Sequence, residues 1–180
     1  MSNRVEHPSY YQGQGGNGIE CIEIIRHYTC DIANAIKYLW RAGLKREMGM
    51  DDAEKEIEDL QKGLVYIEDY RKNYAVDERS IMCHCITMTL QEWGDVKGFT
   101  LPKSSTDHWI KEQTGHTVAE ITQPYEERTA YAIGCLLHVG LICDHHELTP
   151  DDYIKWLDEA TEAIQQRILD IEQSQQVKKE

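Results

Sequence analysis

The sequence predicts an all-α protein, a compact bundle of about six helices behind a flexible, glycine-rich N-terminal loop. Apolar residues recur three and four apart over most of the 180 residues, and strand-like alternation is absent. Helix-start signatures stand at Asp51-Asp52-Ala53-Glu54 and Thr149-Pro150-Asp151-Asp152.

Residues 1–18 are polar and turn-rich, and Gly13-Gln14-Gly15-Gly16-Asn17-Gly18 holds too much glycine for helix or strand. Ile19, Ile22, Ile24 and Ile25 then predict a short amphipathic helix. Asp31 can cap a second, which turns Ile32, Ala35, Ile36, Leu39 and Trp40 inward and ends near Gly43. The acids at 51–54 suit the start of a third helix, long and strongly periodic through Ile57, Leu60, Leu64, Ile67 and Tyr70 or Tyr74. A fourth is expected over about residues 77–93, burying Ile81, Cys85 and Met88. Residues 94–117 read as a long loop with a helical turn near Trp109. Residues 131–143 are apolar on every side, which predicts a central buried helix too short for a membrane span. With Thr149 as N-cap and Pro150 at the first helical position, a last amphipathic helix runs through Ile154, Leu157, Ile164, Ile168 and Ile171 and frays after about Gln173. The organisation is a loop at 1–18, a helical region at 19–75, and a second helical region at 76–180 packed on it as one unit.

A formal net charge of −13 argues against sequence-independent binding to long nucleic acid or an anionic membrane, where clustered Lys and Arg are rewarded. A small anion in a local basic pocket stays allowed. With no apolar signal core and no stretch near the roughly 20 apolar residues of a membrane helix, a soluble, cytoplasmic protein is expected. Its six cysteines are then expected to be reduced and mostly buried. Cys83-His84-Cys85 with His145-His146 suggests zinc, but there is no Cys-x-x-Cys pair, and helical residues two apart point about 200° apart. His84 and His138 read as core histidines.

The sharpest local feature is Lys37, Arg41 and Lys45, four apart on one predicted helical face with no acid between Asp31 and Glu47. Something outside the helix must compensate these charges. Phosphate would, with Arg41 as a planar fork and the lysines as point charges, and so would solvent or acids on another helix. The glycine loop has G-x-G-x-x-G spacing and opens into a helix, so its amides could cradle phosphate; no strand precedes it, which favours a linker. Glu20 with Glu23, and Glu56 with Asp59, share helical faces at a spacing able to hold Mg²⁺ through carboxylate oxygens. MazG-type nucleoside triphosphate pyrophosphohydrolases use such pairs, although Ile19 stands where they carry a further glutamate. His7 and the tyrosines of His7-Pro8-Ser9-Tyr10-Tyr11 are unexplained by core packing, and fit either a flap over a base or phosphate or a staple on the bundle.

Four motifs in order, His7-Pro8-Ser9-x-Tyr11, Ile19-Glu20-Cys21-Ile22-Glu23, Asn34-Ala35-Ile36-Lys37-Tyr38-Leu39-Trp40-Arg41-Ala42-Gly43-x-Lys45 and Glu58-Asp59-Leu60-x-Lys62-x-x-x-Tyr66-Ile67, resemble the SaV-like phage family. The likeness covers about residues 7–72, with Gly63 where that family commonly has alanine. It implies a bacteriophage protein in the cytoplasm of an infected host, linked to nucleotides. The family includes a T-odd coliphage kinase that phosphorylates deoxynucleoside monophosphates without a P-loop, and a protein named for sensitivity to an abortive-infection system. On this reading ATP is the donor, Lys37, Arg41, Lys45 and Lys62 bind phosphate, and Glu20, Glu23 or Asp59 orient Mg²⁺ or the acceptor. His7, Tyr11, Trp40 and Tyr66 face the base. The alternative is a non-catalytic accessory protein that binds a nucleotide, such as a host immune signal, or a host defence protein. Pyrophosphohydrolysis is third. A homo-oligomer is expected, because one helix is apolar all round.

Overall fold

The computed structural model describes residues 8–12, 18–74, 93–96, 99–102, 106–141 and 150–177. Among them seven helices follow a 3-10 turn at Ser9–Tyr11: α1 (Cys21–Ile25), α2 (Cys30–Arg41), α3 (Asp52–Tyr74), α4 (Thr106–Thr114), α5 (Val118–Thr122), α6 (Glu127–Leu137) and α7 (Pro150–Val177). The fold is all-α in its core. The helix expected at 77–93 and the glycine loop lie outside the described residues, apart from Gly18 and Trp93.

Four helices close a ring around that core: α2 packs on α3, α3 on α7, α7 on α6 and α6 back on α2. Ile32, Ala35, Ile36, Leu39 and Trp40 of α2 are all fully buried, as their spacing predicts, and share one apolar core with Leu60 and Ile67 of α3. The other half of the ring supplies Ile133, Leu136 and Leu137 from α6 and Leu157, Ala160 and Ile164 from α7. No described helix is long and apolar enough to cross a membrane.

Helix ends follow local chemistry. The Asp51 carboxylate accepts from the Ala53 amide at 2.9 Å to start α3, and also from the Gln175 side chain of α7 at 3.1 Å. That second bond holds the end of α7 on α3, so the helix runs to Val177 rather than fraying after Gln173. Glu126 opens α6 by accepting from the amides of Arg128 and Thr129, both at 3.2 Å.

Several expectations are corrected. The segment read as a loop with one helical turn carries an antiparallel hairpin, β1 (Trp93–Val96) with β2 (Phe99–Pro102), pairing Trp93 with Pro102 and Val96 with Phe99. Two residues separate the strands in the sequence, a spacing that hairpins favour. A nine-residue α4 follows, not a single turn. Ile22 and Ile154, expected inward, are exposed, and so is Cys30. Ile22 lies two residues from the buried Ile24 and Cys30 two from the buried Ile32, so each falls on the opposite side of its helix.

The apolar run at 131–143 is not one helix. α6 stops at Leu137, and Val139, Gly140 and Leu141 cross the start of α2, where the Thr29 amide donates to the Gly140 carbonyl at 2.8 Å. Tyr28 bridges to Leu141, and its hydroxyl donates to the Leu137 carbonyl at 2.9 Å. Gly140 sits at φ +73°, and a Cβ there would lie 2.6 Å from the Thr29 hydroxyl and 2.7 Å from Ile32. Both conformation and space therefore demand glycine. His138, two residues before Gly140, is fully buried at its side chain, stacked on Trp156 at 4.6 Å with Asp107 3.4 Å from its Nε2. Burial pushes its pKa down to about 3.

Two outcomes follow from this crossing. Gly140→Ala should lower the unfolding free energy by about 3 kcal/mol, the sum of a left-handed alanine and a core overlap, measured by urea denaturation. A histidine kept neutral in the native state but titrating near its ordinary value when unfolded makes stability fall as pH drops through about 6.5 towards 3. Thermal melts from about pH 7 to about pH 4 should thus show a smaller loss in His138→Phe than in the parent.

Candidate functional site

The site is built where α3 lies against the C-terminal half of α2. α3 turns Lys55, Asp59, Gly63 and Tyr66 towards α2 at spacings of four, four and three. At Gly63 the helices approach so closely that a Cβ would lie 3.3 Å from Leu39. One and two turns earlier along α3 the apolar seam becomes a charged one.

Arg41 reaches across the seam with its fork. Its Nε and Nη2 donate to the two carboxylate oxygens of Asp59 at 3.1 and 2.8 Å, and both residues are buried. Lys55, 1% exposed, places its ammonium 3.3 Å from Asp59, 2.7 Å from Glu58 and 3.4 Å from Glu47. The other Glu58 oxygen takes Lys62. Burial alone would lower the pKa values of Arg41 and Lys55. For Arg41 the Asp59 carboxylate, with the Tyr11 phenol, outweighs it, and for Lys55 the acids Glu58, Asp59 and Glu47 do, so both are raised. Lys55 and then Lys62 hold Glu58 down to about 2.

Tyr38 gathers the cations. The guanidinium of Arg41 lies 4.3 Å from the ring centroid, the ammonium of Lys37 5.0 Å and that of Lys62 5.7 Å, within reach of cation–π attraction. Tyr66 stacks on Tyr38 at 5.6 Å. Burial and the neighbouring Tyr38 raise the Tyr66 pKa. Lys37 also donates to the Asn34 side chain, and the ammoniums of Lys37 and Lys62 are the half-exposed cations of the cluster.

The structure thus brings together Tyr11, Lys37, Arg41, Asp59, Lys62 and Tyr66, and parts the rest. Lys45 is not on the helical face: α2 ends at Arg41, Gly43 turns the chain at φ +75°, and the Lys45 amide donates back to the Arg41 carbonyl. Trp40 is core, not a base platform, since its ring is fully buried against Tyr125 at 5.4 Å. Its indole donates to the Tyr11 carbonyl at 3.2 Å, so Tyr11 is a staple holding the N-terminal turn on α2. His7 lies outside the described residues. Glu20 and Glu23 form a reciprocal capping box at the start of α1, the Glu23 carboxylate accepting from the Glu20 amide at 2.9 Å.

Glu56 and Asp59 diverge. Three residues turn a helix by about 60° short of a full revolution, enough for Asp59 to face α2 while Glu56 accepts from Arg167 of α7 at 2.8 and 3.0 Å. All four carboxylates are taken by amides or cations. No group of three or more His, Cys, Asp or Glu suited to a metal occurs among the described residues.

Sequence reasoning missed Lys55 and the central place of Tyr38. The signal for Lys55 was its stripe: it lies four before Asp59, which lies four before Gly63, the position of closest helix approach.

A family model described as a protein of unknown function, DUF3310, matches residues 5–68. No curated protein and no solved structure matches the chain. The DUF3310 segment contains every member of this cluster, from Tyr11 through Tyr66, while α4 to α7 lie beyond it.

Because Asp59 neutralises two buried cations, Asp59→Ala should cost about 3 kcal/mol or more, whereas Glu58→Ala, at a partly solvated position, should cost about 1 kcal/mol or less. Urea denaturation of the two variants checks the difference.

Proposed function

We propose that this is a nucleotide-handling protein whose DUF3310 segment grips a nucleotide phosphate on the α2–α3 face. The observation that carries the reading is the clustering of Lys37, Arg41 and Lys62 within 4.3 to 5.7 Å of one tyrosine ring, in a chain of net charge −13. Half-exposed Lys37 and Lys62 meet the phosphate first, and Arg41 stands behind them as the fork.

The finer reading, from the SaV-like resemblance, is a phage deoxynucleoside monophosphate kinase without a P-loop. The γ-phosphoryl group of ATP passes to a phosphate oxygen of the monophosphate, its bond to the ADP oxygen breaks, and ADP and a deoxynucleoside diphosphate result. The acceptor oxygen is already anionic, so no general base is required, and a buried, paired Asp59 is no obstacle. The face supplies charge neutralisation and positioning. A second reading, a non-catalytic accessory protein that binds a nucleotide, is favoured by the structural employment of Glu20, Glu23 and Asp59 in a cap and a buried ion pair. The pyrophosphohydrolase reading needs converging carboxylates and draws no support from them.

The test combines calorimetric titration with deoxynucleoside monophosphates and an assay for diphosphate in the presence of ATP and Mg²⁺. Saturable binding that weakens about tenfold or more in Lys37→Glu and Lys62→Glu is expected. Equal yields of ADP and deoxynucleoside diphosphate would establish the kinase, and binding without turnover the accessory protein. Absence of both binding and turnover would overturn the reading.

A further inference from the structure

The geometry points to Asp59 as an internal stand-in for the phosphate: it occupies the fork of Arg41 in the ligand-free chain and releases it when a phosphate arrives. This rests on the reading of the α2–α3 face as a phosphate site. A carboxylate offers a guanidinium the same planar, two-oxygen partner that a phosphate does, and Asp59 takes it through Nε and Nη2. While that pair stands, Arg41 is largely spent, and an incoming anion must compete for it.

Exchange is feasible because Asp59 has a second cation. Lys55, buried beside it at 3.3 Å, remains to neutralise the carboxylate once the fork turns away, so no buried charge is stranded. Lys55 is in turn fixed by Glu58 on its own helix and by Glu47 of the turn between α2 and α3. The guanidinium already lies over Tyr38, beside the ammoniums of Lys37 and Lys62, so the movement is a change of partner within one cluster. Lys55 is therefore a positioning residue: it touches no ligand and sets how readily Asp59 gives up Arg41.

The two buried partners make opposite demands. Asp59→Asn keeps the shape but removes the competing charge, so deoxythymidine monophosphate and inorganic phosphate should bind about tenfold tighter than to the parent. Lys55→Met leaves Asp59 dependent on Arg41 alone, so both probes should bind about tenfold weaker. A merely structural role would weaken both variants together. The exchange is also read without mutation, from the Nε–Hε resonance of Arg41 in arginine-labelled parent protein, assigned by its loss in Arg41→Lys. Saturating deoxythymidine monophosphate should move that resonance, and Asp59→Asn should move it in the absence of ligand. If the parent binds the nucleotide while the resonance stays fixed, or if Asp59→Asn folds and binds more weakly, the exchange is overturned and the phosphate site stands. If neither parent nor Asp59→Asn binds either probe, the site itself falls and the exchange with it.

Discussion

The buried pair of Arg41 and Asp59 is the contact on which the geometry of this protein turns. An ion pair at that depth adds little net stability, because desolvating both charges offsets their attraction, but removing Asp59 takes from the buried Arg41 and Lys55 the carboxylate they share. Its effect is therefore on arrangement. With both oxygens of Asp59 bonded to one guanidinium, α2 cannot slide along α3 without breaking two charge-assisted hydrogen bonds. The close approach at Gly63, one turn along, works in the same sense, because Leu39 fills the space a side chain would take.

α3 carries this constraint to the rest of the bundle. One stripe faces α2 with Lys55, Asp59 and Tyr66, and an adjacent one faces α7, where Glu56 holds Arg167 and Arg71 holds Asp158 at 2.6 Å. Arg167 lies 3.5 Å from Glu126, the residue that starts α6, and Arg128 of α6 pairs with Asp170 of α7 at 2.7 Å. In a strongly acidic chain, arginines at helix junctions thus tie α2 to α3, α3 to α7 and α7 to α6. Gly43 belongs to the same logic, since its turn ends α2 against the Glu56 carboxylate.

What the sequence made legible is what local periodicity encodes. The buried stripe of α2, the acidic start of α3 and Pro150 at the first turn of α7 could each be read from neighbours a few residues away. What it hid depends on where a helix stops and which helix stands opposite. Lys37, Arg41 and Lys45 form one stripe only if α2 continues past Arg41, and it does not. Glu56 and Asp59 share a face of α3, yet that face straddles α2 and α7, and the partners differ. Trp40 and Tyr11 read as an aromatic wall when taken singly. Their meeting through a single indole hydrogen bond, 29 residues apart, was beyond any local pattern.

The charge balance of the cluster decides what kind of binding it can perform. Arg41, Lys55 and Lys62 stand against Glu47, Glu58 and Asp59, so the paired core of the cluster is neutral, and Lys37, bonded to the Asn34 side chain, is the cation beside it that pairs with no carboxylate among the described residues. Beyond Lys37, the network has no standing surplus with which to attract a dianion from solution. Past Lys37, an anion gains from it by taking a cation away from one of its carboxylates, and only where that carboxylate keeps another partner. Among the three acids, Asp59 and Glu58 each meet two cations, and Asp59 is the one that shares Arg41. A face arranged in this way favours exchange over capture, and a ligand whose oxygens reproduce the carboxylate geometry over a simple monovalent anion.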